Sequence, residues 1–345
     1  MTLHSSRRRV LTAAIGGVAA WGLWRARPTS EASPAGIPPV NGGPPPIVRT
    51  TRALGTDVSV TIAGADVALV DRTVAAAFAE LHEVESVLSV YDANSQVSRL
   101  NRDGSLDGAH PHLLAVLAEA LSTARRSAGA FDVTVQPLWL LHAEAARAGR
   151  RPTDDEIAAG RRLVDYRRVT VAGRTVRFET PGMAVTFNGI AQGYATDRVS
   201  AVLRAHGIAH ALVDVGELSP IGAKPDGQPW TAGVQHPREA DAFVDVARLD
   251  GRCLATSGDY ASTFGAGQRD HHIFDPGTGR SPTVLASVSV VARTAMAADA
   301  LSTAVFVLGP DRGRRLVEST SGADALFVLK DGSTARTAGF PSAAV

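Results

Sequence analysis

Asp299 and Thr303 stand four residues apart in Ala298-Asp299-Ala300-Leu301-Ser302-Thr303. On a helix, that spacing puts a carboxylate and a hydroxyl on one face, separated by roughly 6 Å of axial rise. Met296, Leu301, Val305, Phe306 and Leu308 make the rest of the segment apolar, so packing does not require the oxygen pair. Two hard oxygen ligands suit Mg²⁺, which takes few protein ligands and leaves the remaining positions to phosphate and water. The pair therefore points to phosphate chemistry, against the plain alternative of a helix-face Asp beside a back-bonded Thr. About one strand earlier, His271-His272-Ile273-Phe274-Asp275-Pro276-Gly277-Thr278-Gly279-Arg280 forms a Gly/Pro-punctuated run. Its backbone and imidazoles need polar partners, which an ordinary core does not offer.

The elements that must position these groups follow from periodicity. Leu54, Val58, Val60 and Ile62 alternate in a strand over 48–62 interrupted at Gly55-Thr56. Val67, Val70, Val74, Phe78, Leu81, Val84 and Leu88 mark a helical stripe from 67 to 88. Asp92 to Ser95 reads as a turn capping a short helix that ends near Asn101, and 113–124 as another helix. Thr153 with Glu156 is a capping box for a helix through Val164. Residues 168–171 and 175–179 read as a hairpin, and 190–205 as a helix. Strands are expected near 211–215, 231–235, 243–249, 252–256 and 286–291. A helix over 294–308 and a final hairpin around 325–329 complete the chain. Interleaved helices and hairpins predict an α+β fold with a mixed, largely antiparallel sheet and packed helices. No G-x-G-x-x-G or P-loop run occurs, so any nucleotide is held in another way.

The 345 residues, 45% of them hydrophobic, suffice for a substantial core. A net charge of +1 argues against nucleic acid as a partner. The single cysteine, Cys253, excludes an internal disulfide and a cysteine-based metal site. Arg7, Arg8 and Arg9 precede the apolar stretch from Val10 to Trp24, and no acidic residue appears before Glu31. The stretch is shorter than the roughly 20 residues of a spanning helix. Residues 1–32 therefore read as a twin-arginine export signal, which implies a periplasmic protein, tethered to the membrane if the signal is retained. Residues 33–47 are a Pro/Gly-rich tether, and 48–345 form the folded domain.

Five segments together resemble the ApbE family of FAD:protein FMN transferases. They are Leu54-Gly55-Thr56; Leu88-Ser89-Val90-Tyr91 with Ser95 to Asn101; Gly129 to Val135; Asn188-Gly189-Ile190-Ala191-Gln192-Gly193-Tyr194; and Thr256-Ser257-Gly258-Asp259-Tyr260 leading to the His271–Arg280 loop and the Asp299/Thr303 helix. The Asn188–Tyr194 phrase and Asp214-Val215-Gly216-Glu217-Leu218 look most like the NosX branch, which is associated with maturation of nitrous oxide reduction.

The resemblance implies that FAD is split at its pyrophosphate, FMN is esterified to a Ser or Thr of an acceptor protein, and AMP leaves. For this chain the acceptor would be a membrane-bound electron-transfer protein. It implies Mg²⁺ held by the Gly189 carbonyl, Asp299 and Thr303, and a catalytic His272 near the pyrophosphate. It places flavin contacts at Leu54, Tyr91, Ala130, Phe131, Asp132, Thr186, Gln192 and Ile273, with Ser257 beside phosphate. Many family members carry Met, Asp, and Lys or Glu where Leu54, Thr186 and Gln192 stand here. Two other functions use the same motifs: hydrolysis of FAD to FMN and AMP, and non-catalytic FAD binding by a maturation factor.

Overall fold

The computed structural model describes residues 45–264 and 268–343. The expected export signal and most of the tether lie outside the described residues. Strand β1 (Ile47–Ala53) and strand β2 (Thr56–Ile62) form a hairpin. Its two turn residues, Leu54 (φ 50) and Gly55 (φ 75), both have positive φ. This is the type I′ geometry, whose twist matches the flanking strands. The single interrupted strand expected from alternation is therefore an antiparallel pair.

Helix α1 (Val67–Leu88) starts where Asp66 accepts the Leu69 amide, and buries Val70, Val74, Ala77, Leu81, Val84 and Leu88 on one stripe. Helix α2 (Gln96–Asp103) is capped by Ser95, and strand β3 (Ser105–Leu106) follows. Helix α3 (Pro111–Arg126) begins at the cap His110. Residues Val133–Val135 make one 3₁₀ turn that runs into α4 (Gln136–Arg147). Helix α5 (Asp154–Arg161) carries the full Thr153/Glu156 capping box, and strands β4 (Val169–Ala172) and β5 (Thr175–Phe178) form the expected hairpin.

Helix α6 (Ala191–Ala205) leads to β6 (Ala211–Asp214), β7 (Leu218–Ile221), β8 (Trp230–Gln235), β9 (Phe243–Leu249) and β10 (Cys253–Gly258). Then come β11 (Leu285–Ala292), α7 (Ala295–Glu318), β12 (Asp324–Leu329) and β13 (Thr334–Arg336). Helix α7 is broken at Gly309 (φ 74) and Pro310, and resumes to Glu318.

The main sheet has eight strands in the order β1-β2-β6-β7-β10-β11-β12-β13, and every neighbouring pair is antiparallel. Successive side chains of a strand point to opposite faces, so each central strand serves two cores. Ala255, Val290 and Phe327 enter the main core with the helices, whereas Leu254, Val291 and Leu326 pack with Trp230, Val234 and Leu249 of the β8–β9 hairpin. Strand β11 is buried along its whole length because both faces are covered. Among the described residues no helix is long and apolar enough to cross a membrane.

Candidate active site

The site is built where the N-terminal turn of α6 crosses the N-terminal half of α7. Gly193 makes the crossing possible: a side chain there would run into the Ala295 carbonyl and lie 2.7 Å from Asp299 Cβ. Its amide donates to Asp299 Oδ2 at 2.9 Å. One turn along α6, Asp197 accepts the Ala295 and Met296 amides, both at 2.9 Å, which fixes the start of α7. These amides are among the unpaired donors at a helix N-terminus, so the carboxylate also meets a favourable dipole.

The expected helix face then forms. Asp299 is buried, and Thr303 one turn later sets Oγ1 3.5 Å from the Gly189 carbonyl oxygen and 3.3 Å from Ser257 Oγ. Ser257 Oγ lies 2.8 Å from Ser302 Oγ. Among the described residues no donor reaches Asp299 Oδ1. Burial lifts the Asp299 carboxyl to about 7, against the Gly193 hydrogen bond that favours its charged form and with repulsion from Asp197. A second carboxyl, Glu217, is buried on the Asp214–Leu218 turn and accepts the Thr256 amide at 3.3 Å. Burial raises it well above the usual carboxylate range, and Asp299 raises it further.

This donor set fits a small hard cation. A carboxylate, a hydroxyl and a carbonyl offer only oxygen, and two buried carboxyls that resist ionisation alone are relieved by positive charge. The 3.5 Å separation of Thr303 Oγ1 and Gly189 O makes at best a weak hydrogen bond. Neighbouring ligands of an octahedral Mg²⁺ stand about 3 Å apart, so little movement would bring both onto one ion.

The two histidines have separate surroundings. His271 is fully buried, with Nε2 3.0 Å from the Pro282 carbonyl oxygen and its ring edge-on to Phe306. Burial pushes it down to about 4, so it is a neutral structural residue. His272 is half-buried, with Nδ1 3.2 Å from the Ser262 carbonyl oxygen. A carbonyl only accepts, so Nδ1 carries the proton and Nε2 keeps a lone pair. Burial lowers its pKa as well.

The expected flavin residues are more scattered. Leu54 packs on the main core, and its amide donates to Glu85 Oε1 at 2.7 Å. Tyr91 is 59% exposed, which leaves its ring face free for stacking. Ala130 is half-buried and Phe131 buried. Asp132 accepts the Thr134 amide (2.8 Å), the Thr134 hydroxyl (2.6 Å) and the Tyr166 amide (2.9 Å), so much of its capacity goes to shaping the turn. The Thr186 amide donates to the Val133 carbonyl at 2.8 Å, tying that residue to the same segment. Gln192 is half-buried against Gly216, where a Cβ would come within 2.9 Å of its Nε2. Ile273 is buried beside His272.

Sequence reading overlooked Glu217 as a site residue, and Asp259 with it. Asp259 follows β10, is fully buried, and takes both arms of Arg238 at 2.7 and 2.8 Å and Lys330 Nζ at 3.2 Å. No local spacing signals either, because their partners come from distant segments of the chain.

An antiparallel α+β scaffold that gathers carboxylate, hydroxyl and carbonyl oxygens where two helices cross defines a class of proteins that lack a Rossmann motif. The profile of the ApbE family matches residues 54–327, and the chain belongs to that family. An FAD:protein FMN transferase of Vibrio cholerae is 34% identical over 248 residues, spanning 69% of this chain and 74% of the relative. The ApbE protein of Thermotoga maritima superposes with a TM-score of 0.77 at 29% identity, over 85% of this chain and 97% of that one. The flavinyl transferase ApbE of Pseudomonas stutzeri gives a TM-score of 0.76 at 31% identity, over 87% and 98%.

Proposed function

We propose that this protein is an Mg²⁺-dependent FAD:protein FMN transferase that esterifies FMN to a threonine or serine hydroxyl of an acceptor protein. The observation that carries the reading is that Thr303, one turn after the buried Asp299 on the same helix face, brings its hydroxyl to the Gly189 carbonyl and to Ser257. These residues would hold the cation, whose charge would offset that of the FAD pyrophosphate. Ser257 offers its hydroxyl to the same phosphates, while Gly258 leaves room for the Tyr260 ring that packs on its backbone. His272, neutral with its Nε2 lone pair available, takes the proton of the acceptor hydroxyl. The hydroxyl oxygen bonds to the FMN-side phosphorus, the bond to the bridging oxygen breaks, and AMP departs with that oxygen. Tyr91, Phe131 and Ile273 supply the apolar surfaces that the flavin needs.

The reading extends to export and to the NosX branch. Arg7 to Arg9 before an apolar stretch supports a periplasmic destination, and the Asn188–Tyr194 and Asp214–Leu218 phrases support the branch. A membrane-bound electron-transfer protein facing the periplasm is the fitting acceptor.

The test incubates the protein with FAD, Mg²⁺ and a candidate acceptor domain, and follows in-gel flavin fluorescence and AMP. Fluorescent acceptor with stoichiometric AMP is expected, with both lost in Asp299→Ala and Thr303→Val variants that retain the fold. AMP at the same rate without acceptor would instead make the protein an FAD hydrolase, and intact bound FAD a carrier. Undiminished turnover in both variants would remove the metal assignment.

A further inference from the structure

Away from the α6–α7 crossing, a second cluster of ligating groups lies between α1 and the start of α3. Glu83, His110 and His112 each bring one ligand atom within 4.8 Å of the others. His110 Nε2 is 3.3 Å from Glu83 Oε1, close to the spacing of two ligands on one tetrahedral ion. The two rings are tilted by 42° with centroids 4.6 Å apart. We propose that Glu83, His110 and His112 form a binding site for a divalent transition cation of the Zn²⁺ class, distinct from the oxygen cluster at Asp299.

His112 is built for this role. It is buried, and its Nδ1 lies 2.8 Å from the Tyr194 phenol oxygen. With Nδ1–H donated to that oxygen, which acts as the outer partner of the ring, the Nε2 lone pair faces the carboxylates. Glu80 Oε1, 3.7 Å from His112 Nε2, is held by Arg198 at 2.7 Å and adds negative charge beside the ion. The charges of Glu80, Glu83 and Arg198 leave the cluster net negative, which favours a cation.

His110 changes roles on binding. In the metal-free chain its Nδ1 accepts the His112 amide at 3.2 Å, so its ring proton sits on Nε2 toward Glu83. Coordination through Nε2 moves that proton to Nδ1, which gives up one long capping bond. The His110 backbone stays in place through its amide, which donates to Gln96 Oε1 at 2.7 Å. Two imidazoles and a carboxylate select Zn²⁺, Co²⁺, Ni²⁺ or Cu²⁺ over Mg²⁺, so the two sites take different ions. The bound ion would clip α1 to α3, and through Tyr194 it adjoins Gly193, the residue that holds Asp299.

The test strips the protein with chelator, keeps Mg²⁺ in excess, and titrates Zn²⁺ by calorimetry and Co²⁺ by visible absorption. One equivalent of Zn²⁺ is expected to bind and raise Tm, and Co²⁺ to show ligand-field bands of a nitrogen-containing site. Asparagine caps helices but is a poor ligand here, so His110→Asn separates lost coordination from a lost cap. His110→Asn and Glu83→Gln should each weaken binding by more than about tenfold, and Tyr194→Phe by about tenfold. An Asp299→Asn background should leave the Co²⁺ bands unchanged. The absence of a Zn²⁺ equivalent, or an equivalent untouched by His110→Asn and Glu83→Gln, would overturn the site.

Discussion

The Gly193 amide donates to Asp299 Oδ2 at 2.9 Å, and this bond, with the two that Asp197 accepts, joins helices α6 and α7 at the oxygen cluster. Glycine usually weakens a helix interior by about 1 kcal/mol relative to alanine, so Gly→Ala normally stabilises. Here the sign reverses, because the added methyl would meet the Ala295 carbonyl and Asp299 Cβ. Gly193→Ala should lose roughly 1–3 kcal/mol and push α7 away from Gly189. Urea unfolding together with an FAD turnover assay checks this. A variant as stable and active as the parent would contradict the crossing.

Asp299 and Glu217 make metal-free stability depend on pH in a definite direction. An unfolded Asp releases its proton near 3.8, whereas folded Asp299 holds it to about 7. Between those values the native state binds more protons than the unfolded state, so stability falls as pH rises and levels off above about 7. The loss is on the order of 2 to 4 kcal/mol for Asp299, and Glu217 adds to it in the same sense. Asp299→Asn should flatten much of the slope. Mg²⁺ should stabilise the parent more at about pH 8 than at about pH 5.5, because the ion competes with the proton. Denaturant titrations at both pH values, with and without Mg²⁺, measure the effect.

His272 gives a separate signature at saturating Mg²⁺. Its lowered pKa, caused chiefly by burial, places the acid limb of the rate profile below the ordinary histidine value of about 6.5. His272→Gln should abolish that limb and reduce kcat by about 10²–10⁴, with a small change in KM for FAD. An unaltered acid limb in the variant would assign the proton transfer elsewhere.

The legible parts of the molecule were those with local period or local spacing. Helix α1 runs from Val67 to Leu88 as its stripe predicts, and Asp299 and Thr303 share a face because four residues make about one turn. Strand β7 was missed because Leu218–Ile221 is four residues long and contains Pro220. Helix α4 is hidden in the sequence by Pro137, which reads as a breaker but stands in the first turn, where proline fits. Helix α7 runs on to Glu318, past the end at Leu308 that its sequence suggests, since Gly309-Pro310 reads as a stop but only breaks the helix. Leu54 is not a turn former, so its positive φ had no sequence signal. Glu217 and Asp259 acquire meaning only from tertiary neighbours.

Asp259 offers the sharpest energetic test of those neighbours. It is fully buried, with a two-armed bond to Arg238 at 2.7 and 2.8 Å and a single contact to Lys330 at 3.2 Å. Removing one partner of a buried pair leaves a charge without compensation, at a cost of roughly 3–5 kcal/mol when no other partner remains. Lys330 keeps partial compensation in Arg238→Met, and the stronger fork survives intact in Lys330→Met. Arg238→Met should therefore destabilise by about 2–3 kcal/mol and Lys330→Met by about 1 kcal/mol. The double variant should lose more than the sum, because only then is the carboxylate stranded. A urea-unfolding double-mutant cycle reads all three. Equal single losses that simply add would mean that solvent, rather than the two cations, balances Asp259.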